Sequence, residues 1–189
     1  MAKYIVILFT VSLFFQACKK SSSPDETPNK LGKEISAKFP NDCYGEWSGN
    51  LLINNGHKID TILMDFAIRE TDSPDTVQWI LKYEGQDSRN YELITVNEKN
   101  GDYLIDEKNG IVINAKRLGN QIFSSFEVMD NQISAIYSFE NEEIIFEIIV
   151  QNSKEFYPSG DTIVNGENIP EVKSFPVTMK QTAQLQRKK

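Results

Sequence analysis

Residues 90–117 read NYELITVNEKNGDYLIDEKNGIVINAKR, and this stretch decides the fold. The tetrapeptide Glu-Lys-Asn-Gly occurs in it twice, at 98–101 and at 107–110. Each copy ends in Asn-Gly, the dipeptide that best tolerates the positive φ required at both positions of a tight hairpin turn. Around the turns apolar residues recur at every second position: Tyr91 and Leu93, then Ile111, Ile113 and Ala115. That period belongs to strands with one buried face. The turns are too close together for the repeat to be a domain repeat. They predict consecutive hairpins of one antiparallel sheet.

The same pattern extends in both directions. Strands are predicted over Gly45–Asn54, Lys58–Glu70, Thr76–Glu84, Asn90–Asn97, Gly101–Asp106, Gly110–Arg117, Gln121–Met129, Gln132–Glu140, Glu143–Gln151 and Val172–Leu185. Asn55-Gly56, Asp130-Asn131 and Asn141-Glu142 supply further turns. Parity assigns the faces. Ile62, Met64, Phe66 and Ile68 share one, as do Val77, Trp79, Leu81 and Tyr83. Ile122, Phe126 and Val128 follow, then Ile133, Ala135, Tyr137 and Phe139, and then Ile144, Phe146, Ile148 and Val150. Ile145 and Ile149 lie on the opposite face, so some of the outside is expected to be covered. Residues 152–171, rich in Gly, Pro, Asn and Ser, read as one long loop and as the expected cover. The fold class is all-β, a meander of about ten strands with one core.

The N-terminus reads as an address. Lys3 precedes an apolar run over Tyr4–Phe15, too short for the ~20 residues that span a bilayer. Residues 1–17 are therefore expected to be a cleaved signal peptide. Ala17 directly before Cys18 resembles the lipobox of bacterial lipoproteins, in the relaxed form found in Bacteroidota; Phe15 and Gln16 depart from its small residues. The resemblance implies acylation of Cys18, a membrane partner held through that anchor, and a place in the cell envelope at the outer membrane. Residues 18–33, with Lys19, Lys20, three serines and two prolines, suit a flexible tether. The single domain is expected over residues 34–189.

Composition removes several functions. Over 189 residues, 20 Lys and Arg stand against 27 Asp and Glu, for a formal net charge of −7. Nucleic acid is not the expected partner, because its recognition needs a basic face. One His and two Cys cannot build a Cys/His zinc site. No metal site and no cofactor are called for. With Cys18 acylated, Cys43 has no partner for a disulfide and reads as a small buried hydrophobe. A catalytic triad would have to use His57, which sits in the Asn-Asn-Gly-His-Lys turn, and there is no Gly-x-Ser-x-Gly elbow. No P-loop or dinucleotide fingerprint occurs. No catalytic residue is assigned.

Ahead of the first strand, Leu31, Ile35 and Phe39 at helical spacing predict a short helix over Lys30–Phe39, stopped by Pro40. The Gly45-Glu46-Trp47 that follows resembles the Gly-x-Trp of the calycins, the lipocalins and fatty-acid-binding proteins. The resemblance implies a closed barrel with Trp47 shutting one end and an internal site for a small apolar or amphiphilic ligand. Two departures stand against carrying ligand chemistry over. The last strand has Met179, Gln181 and Ala183 where fatty-acid-binding proteins hold a carboxylate with Arg-x-Tyr, and no His lies on an inward row for haem. In a barrel with a lumen, Trp79, Tyr83, Phe126 and Tyr137 would line the pocket. Arg89 and Arg117, which share parity with apolar rows, would pair with an anionic headgroup. The other reading is a solid core that binds an envelope protein, or inhibits an enzyme, through loops or the outer surface.

Overall fold

The computed structural model describes residues 37–189. Nine strands follow one another as a meander: β1 (Gly45–Asn54), β2 (Ile59–Glu70), β3 (Thr76–Tyr83), β4 (Arg89–Asn97), β5 (Asp102–Asp106), β6 (Val112–Leu118), β7 (Gln121–Val128), β8 (Asn131–Phe139) and β9 (Glu143–Asn152). Four short strands come next, β10 (Tyr157–Ser159), β11 (Thr162–Val164), β12 (Glu167–Ile169) and β13 (Val172–Ser174). The last strand, β14 (Val177–Arg187), lies between β9 and β1 and pairs antiparallel with both, which closes the barrel. Closure leaves no barrel strand with an unpaired edge.

The period-two reading gives the right architecture, and the differences are local. The predicted strand Val172–Leu185 is two strands, because Pro176 cannot donate to a ladder and interrupts it. Asn100-Gly101 ends the connection 98–101 and Asn109-Gly110 lies within the connection 107–111, both longer than a two-residue turn. Between barrel strands, the tight turn with two consecutive positive φ values is Met129-Asp130, at 48° and 66°, one residue before the dipeptide read from sequence. Most of the helix predicted over Lys30–Phe39 lies outside the described residues. Its described end is not helical; beyond Pro40 the chain makes a 3₁₀ turn at Asn41–Cys43.

The inward rows are those named from parity, except that Ile111, just ahead of β6, and Val128, at the end of β7, are exposed. Trp47, Trp79, Phe66, Phe139 and Phe146 are the largest side chains wholly removed from solvent. Their rings interlock: Phe66 to Trp79 at 4.7 Å, Trp79 to Tyr137 at 4.8 Å and Tyr137 to Phe146 at 5.0 Å between centroids. Each such side chain contributes on the order of 1.5–3 kcal/mol by burial, and each aromatic pair about 0.5–1.5 kcal/mol more.

One end of the barrel is capped by the chain that leads into it. Phe39 packs on Tyr103 at 6.0 Å and on Phe139 at 5.1 Å. Trp47 Nε1 donates to the Cys43 carbonyl at 3.2 Å, and the Arg187 guanidinium lies 4.1 Å over the Trp47 ring. Arg187 also donates to the carbonyls of Asp42 and Tyr44. Gly49 allows β14 to come close, since a Cβ there would lie 2.3 Å from the Gln184 carbonyl oxygen. At the far end the inner lining is half-buried: Ile53, Ile62, Tyr91, Phe126 and Ile148.

Candidate functional site

The candidate residues do not form one site. Trp79, Tyr83 and Tyr137 are buried within the barrel, and Phe126 is half-buried near the far end. Arg89 opens β4 at that end, where its guanidinium lies 4.9 Å from the Tyr83 ring centroid and Nη2 donates to Gln86 Oε1 at 3.2 Å. Arg117 lies near the end of β6, which runs in the same direction as β4, so it stands at the capped end. The two arginines cannot hold one headgroup. Cys18 lies outside the described residues.

Chemically the interior is quiet. Burial raises the hydroxyl pKa of Tyr83 and of Tyr137, with Arg89 opposing the shift in both. Trp79 Nε1 is buried with no hydrogen-bond partner of acceptable geometry, although the Tyr137 hydroxyl feels the same N–H. Cys43 is 1% exposed, and burial, with the Asp42 charge adding to it and Arg187 opposing, pushes its thiol up to about 12. Such a thiol is neutral at pH 7 and a poor nucleophile. His57 donates only its backbone N–H among the described hydrogen bonds, to Asn55 Oδ1. Among the described residues no group of three or more His, Cys, Asp or Glu is placed to hold a metal ion.

Apolar surface is found outside. An open depression of about 710 Å³ crosses β5 to β8, where Leu104, Phe123 and Ile136 point outward beside the Lys116–Asp102 ion pair at 2.6 Å. Another, of about 600 Å³, includes Leu52 and Ile145. The segment read as a covering loop is the larger surprise. β10 pairs with β13 and β11 with β12, so residues 153–176 form a hairpin arm ending in the Asn165-Gly166 turn, with φ of 53° and 84°. Every residue of these four strands is exposed, Tyr157 at 74% and Ile163 at 69%, so the arm covers nothing. It leaves the barrel at the end of β9, opposite the end capped by residues 39–44.

Sequence reasoning missed the arm because its composition is that of a loop. The signal was Asn165-Gly166 between Thr-Ile-Val and Glu-Asn-Ile, a hairpin turn with β-branched flanks.

No family model matches the sequence, and no curated protein matches it. Among solved structures, it is similar to a protein of unknown function from the DUF3598 family of Nostoc punctiforme, at 14% identity and a TM-score of 0.54. The alignment covers 78% of this chain and 48% of that one, so this chain matches about half the length of that neighbour. At that identity the likeness supports the barrel fold alone.

Proposed function

We propose that this chain is a lipid-anchored protein of the cell envelope whose filled barrel is a scaffold for docking another envelope protein. The observation that carries the docking reading is the inversion of polarity: interlocked aromatics fill the barrel's middle, while exposed apolar side chains gather on the arm. Apolar surface of that kind has a cost in water that contact with a partner relieves. The anchor reading rests on Ala17-Cys18 and the polar tether.

Two experiments test these parts separately. Cys18→Ala should abolish acyl labelling and move the protein to soluble fractions; unchanged membrane association refutes the anchor. Replacing residues 155–174 with a short Gly-containing turn should leave the barrel's thermal midpoint within about 2 °C, since the excised residues bury little, and should abolish capture of the partner from crosslinked envelopes. Unchanged capture refutes docking by the arm.

A second reading, a carrier of a small apolar or amphiphilic ligand, is favoured by one feature. The far end has a half-buried apolar rim of Ile53, Ile62, Tyr91, Phe126 and Ile148, with Arg89 beside it. Native mass spectrometry of protein recovered from its source cells tests this reading. A missing small-molecule adduct, together with no thermal shift across a lipid panel, excludes it.

A further inference from the structure

The two long edges of the arm are not equivalent. In the pair Pro158↔Lys173, Pro158 has no N–H to give. The ladder bonds between β10 and β13 therefore fall on the flanking pairs, Tyr157↔Ser174 and Ser159↔Val172. Two consequences follow for the outer edges. On β10 the outward position is Pro158 itself, which blocks that edge against a further strand. On β13 the outward N–H and C=O belong to Lys173 and, two residues earlier, to Glu171. Neither is a proline, and both residues are exposed. The arm thus has one closed edge and one open edge.

The open edge is self-complementary. It reads Glu171-Val172-Lys173, charge, apolar, opposite charge. We propose that it pairs antiparallel with the same edge of a second copy of this chain, about a two-fold axis at Val172. In that register Glu171 of each copy exchanges backbone bonds with Lys173 of the other, and their side chains meet as two ion pairs. Val172 faces its own counterpart. Tyr157 shares a face with Val172 across the β10–β13 pair, so the two copies join their apolar faces into one row.

Three physical arguments favour a second copy over an unrelated strand. An unrelated edge carries no reason to present the inverse charge order at this spacing, whereas an antiparallel copy must. The proline blocks the alternative edge, so pairing stops at two copies and does not propagate into a fibre. The arm is a two-stranded hairpin, marginal by itself in water, and a four-stranded sheet with an apolar face is a more stable unit.

The proposal rests on reading the arm as an interaction element, and site-directed disulfides in the full-length chain test it in intact membranes. Val172 and its counterpart would form a non-hydrogen-bonded pair with Cα atoms about 4.5 Å apart, within disulfide reach. Under mild oxidation Val172→Cys should give a reducible band at twice the monomer mass. Ser159→Cys, also exposed but on the closed edge, should give less than a tenth of that yield. On the Val172→Cys background, Lys173→Glu should cut the yield several-fold by opposing like charges. The double change Glu171→Lys with Lys173→Glu should restore it, which a folding defect would not do. Equal yields from Val172→Cys and Ser159→Cys overturn the proposal, as does a double variant no better than the single one. An adduct between Val172→Cys and a different protein also overturns it, while leaving the docking reading intact.

Discussion

The two tryptophans of the barrel are equally buried but differently bonded, and this difference sets a measurable inequality. Trp47 Nε1 donates to the Cys43 carbonyl, and its ring carries the Arg187 guanidinium. Trp79 Nε1 has no well-aligned acceptor, only a poorly directed approach to the Tyr137 hydroxyl, and is surrounded by Phe39, Phe66, Tyr137 and Phe139. Changing either to Phe removes the same atoms from a site closed to solvent, so the transfer and cavity costs nearly cancel between the two variants. At Trp47 the change also deletes a hydrogen bond of about 1 kcal/mol net and leaves a buried carbonyl short of its donor. A weaker cation–π contact adds about 0.5 kcal/mol in the same direction. At Trp79 the change deletes a buried donor that had already lost its water, which returns about 1 kcal/mol. Trp47→Phe should therefore be less stable than Trp79→Phe by about 2 kcal/mol. Urea unfolding followed by far-UV circular dichroism reads both variants alike, whichever indole remains. With a denaturant slope of about 2 kcal/mol/M, the midpoints should differ by about 1 M. Equal midpoints, or a lower one for Trp79→Phe, would refute the claim that the Trp79 N–H is a poorly satisfied group in a filled core. An open lumen in which that N–H meets water or ligand would produce such a result.

Two further outcomes follow from the capped end and the seam. The Cys43 thiol is raised from 9.0 to about 12, so its contribution is fully present below pH 9. As pH climbs from 9 toward 12 the unfolded thiol ionises and the folded one does not, and stability should fall by about 1.4 kcal/mol per pH unit. Cys43→Ala should remove that slope. The difference between the two proteins in urea titrations at pH 8 to 11 isolates it from the tyrosines, which both retain. Gly49→Ala puts a methyl 2.3 Å from the Gln184 carbonyl oxygen and must part β1 from β14. A loss of about 1–3 kcal/mol is expected, seen as a thermal midpoint lowered by about 2–12 °C; an unchanged midpoint would show that the seam has slack.

Strand positions were legible because a closed sheet with a wet outside and a dry inside writes its geometry as alternation. Ile144, Phe146 and Ile148 point inward for that reason, and no partner strand had to be known to say so. The ends of the barrel were harder to read. Parity places Arg89 and Arg117 on the inner face but is silent on height along the axis. Only the alternation of strand direction, with Arg89 starting one descending strand and Arg117 near the end of another, separates them. The arm was illegible for a different reason. Tyr157, Ile163 and Val172 are apolar without being core, and alternation predicts burial only where a residue's environment is the chain's own interior. The filled state of the lumen was likewise beyond reach. Trp79, Tyr137 and Phe146 can line a hollow or interlock across it, and the ring separations decide which.

The seam between β1 and β14 has a consequence for how the chain can be made. Trp47 pairs with Arg187, and the Lys188 N–H donates to the Glu46 carbonyl at 2.7 Å. The first strand of the barrel thus has its second neighbour in the residues of the last. Until those arrive, β1 presents an unsatisfied edge, Leu51 and Trp47 are uncovered along it, and the cap has no Arg187 to fasten it. A chain that stopped short of β14 would be an open sheet with two sticky margins, a far better substrate for proteases and aggregation than for any partner. The barrel is in this sense its own proofreading device: only a chain that has completed β14 can hide β1.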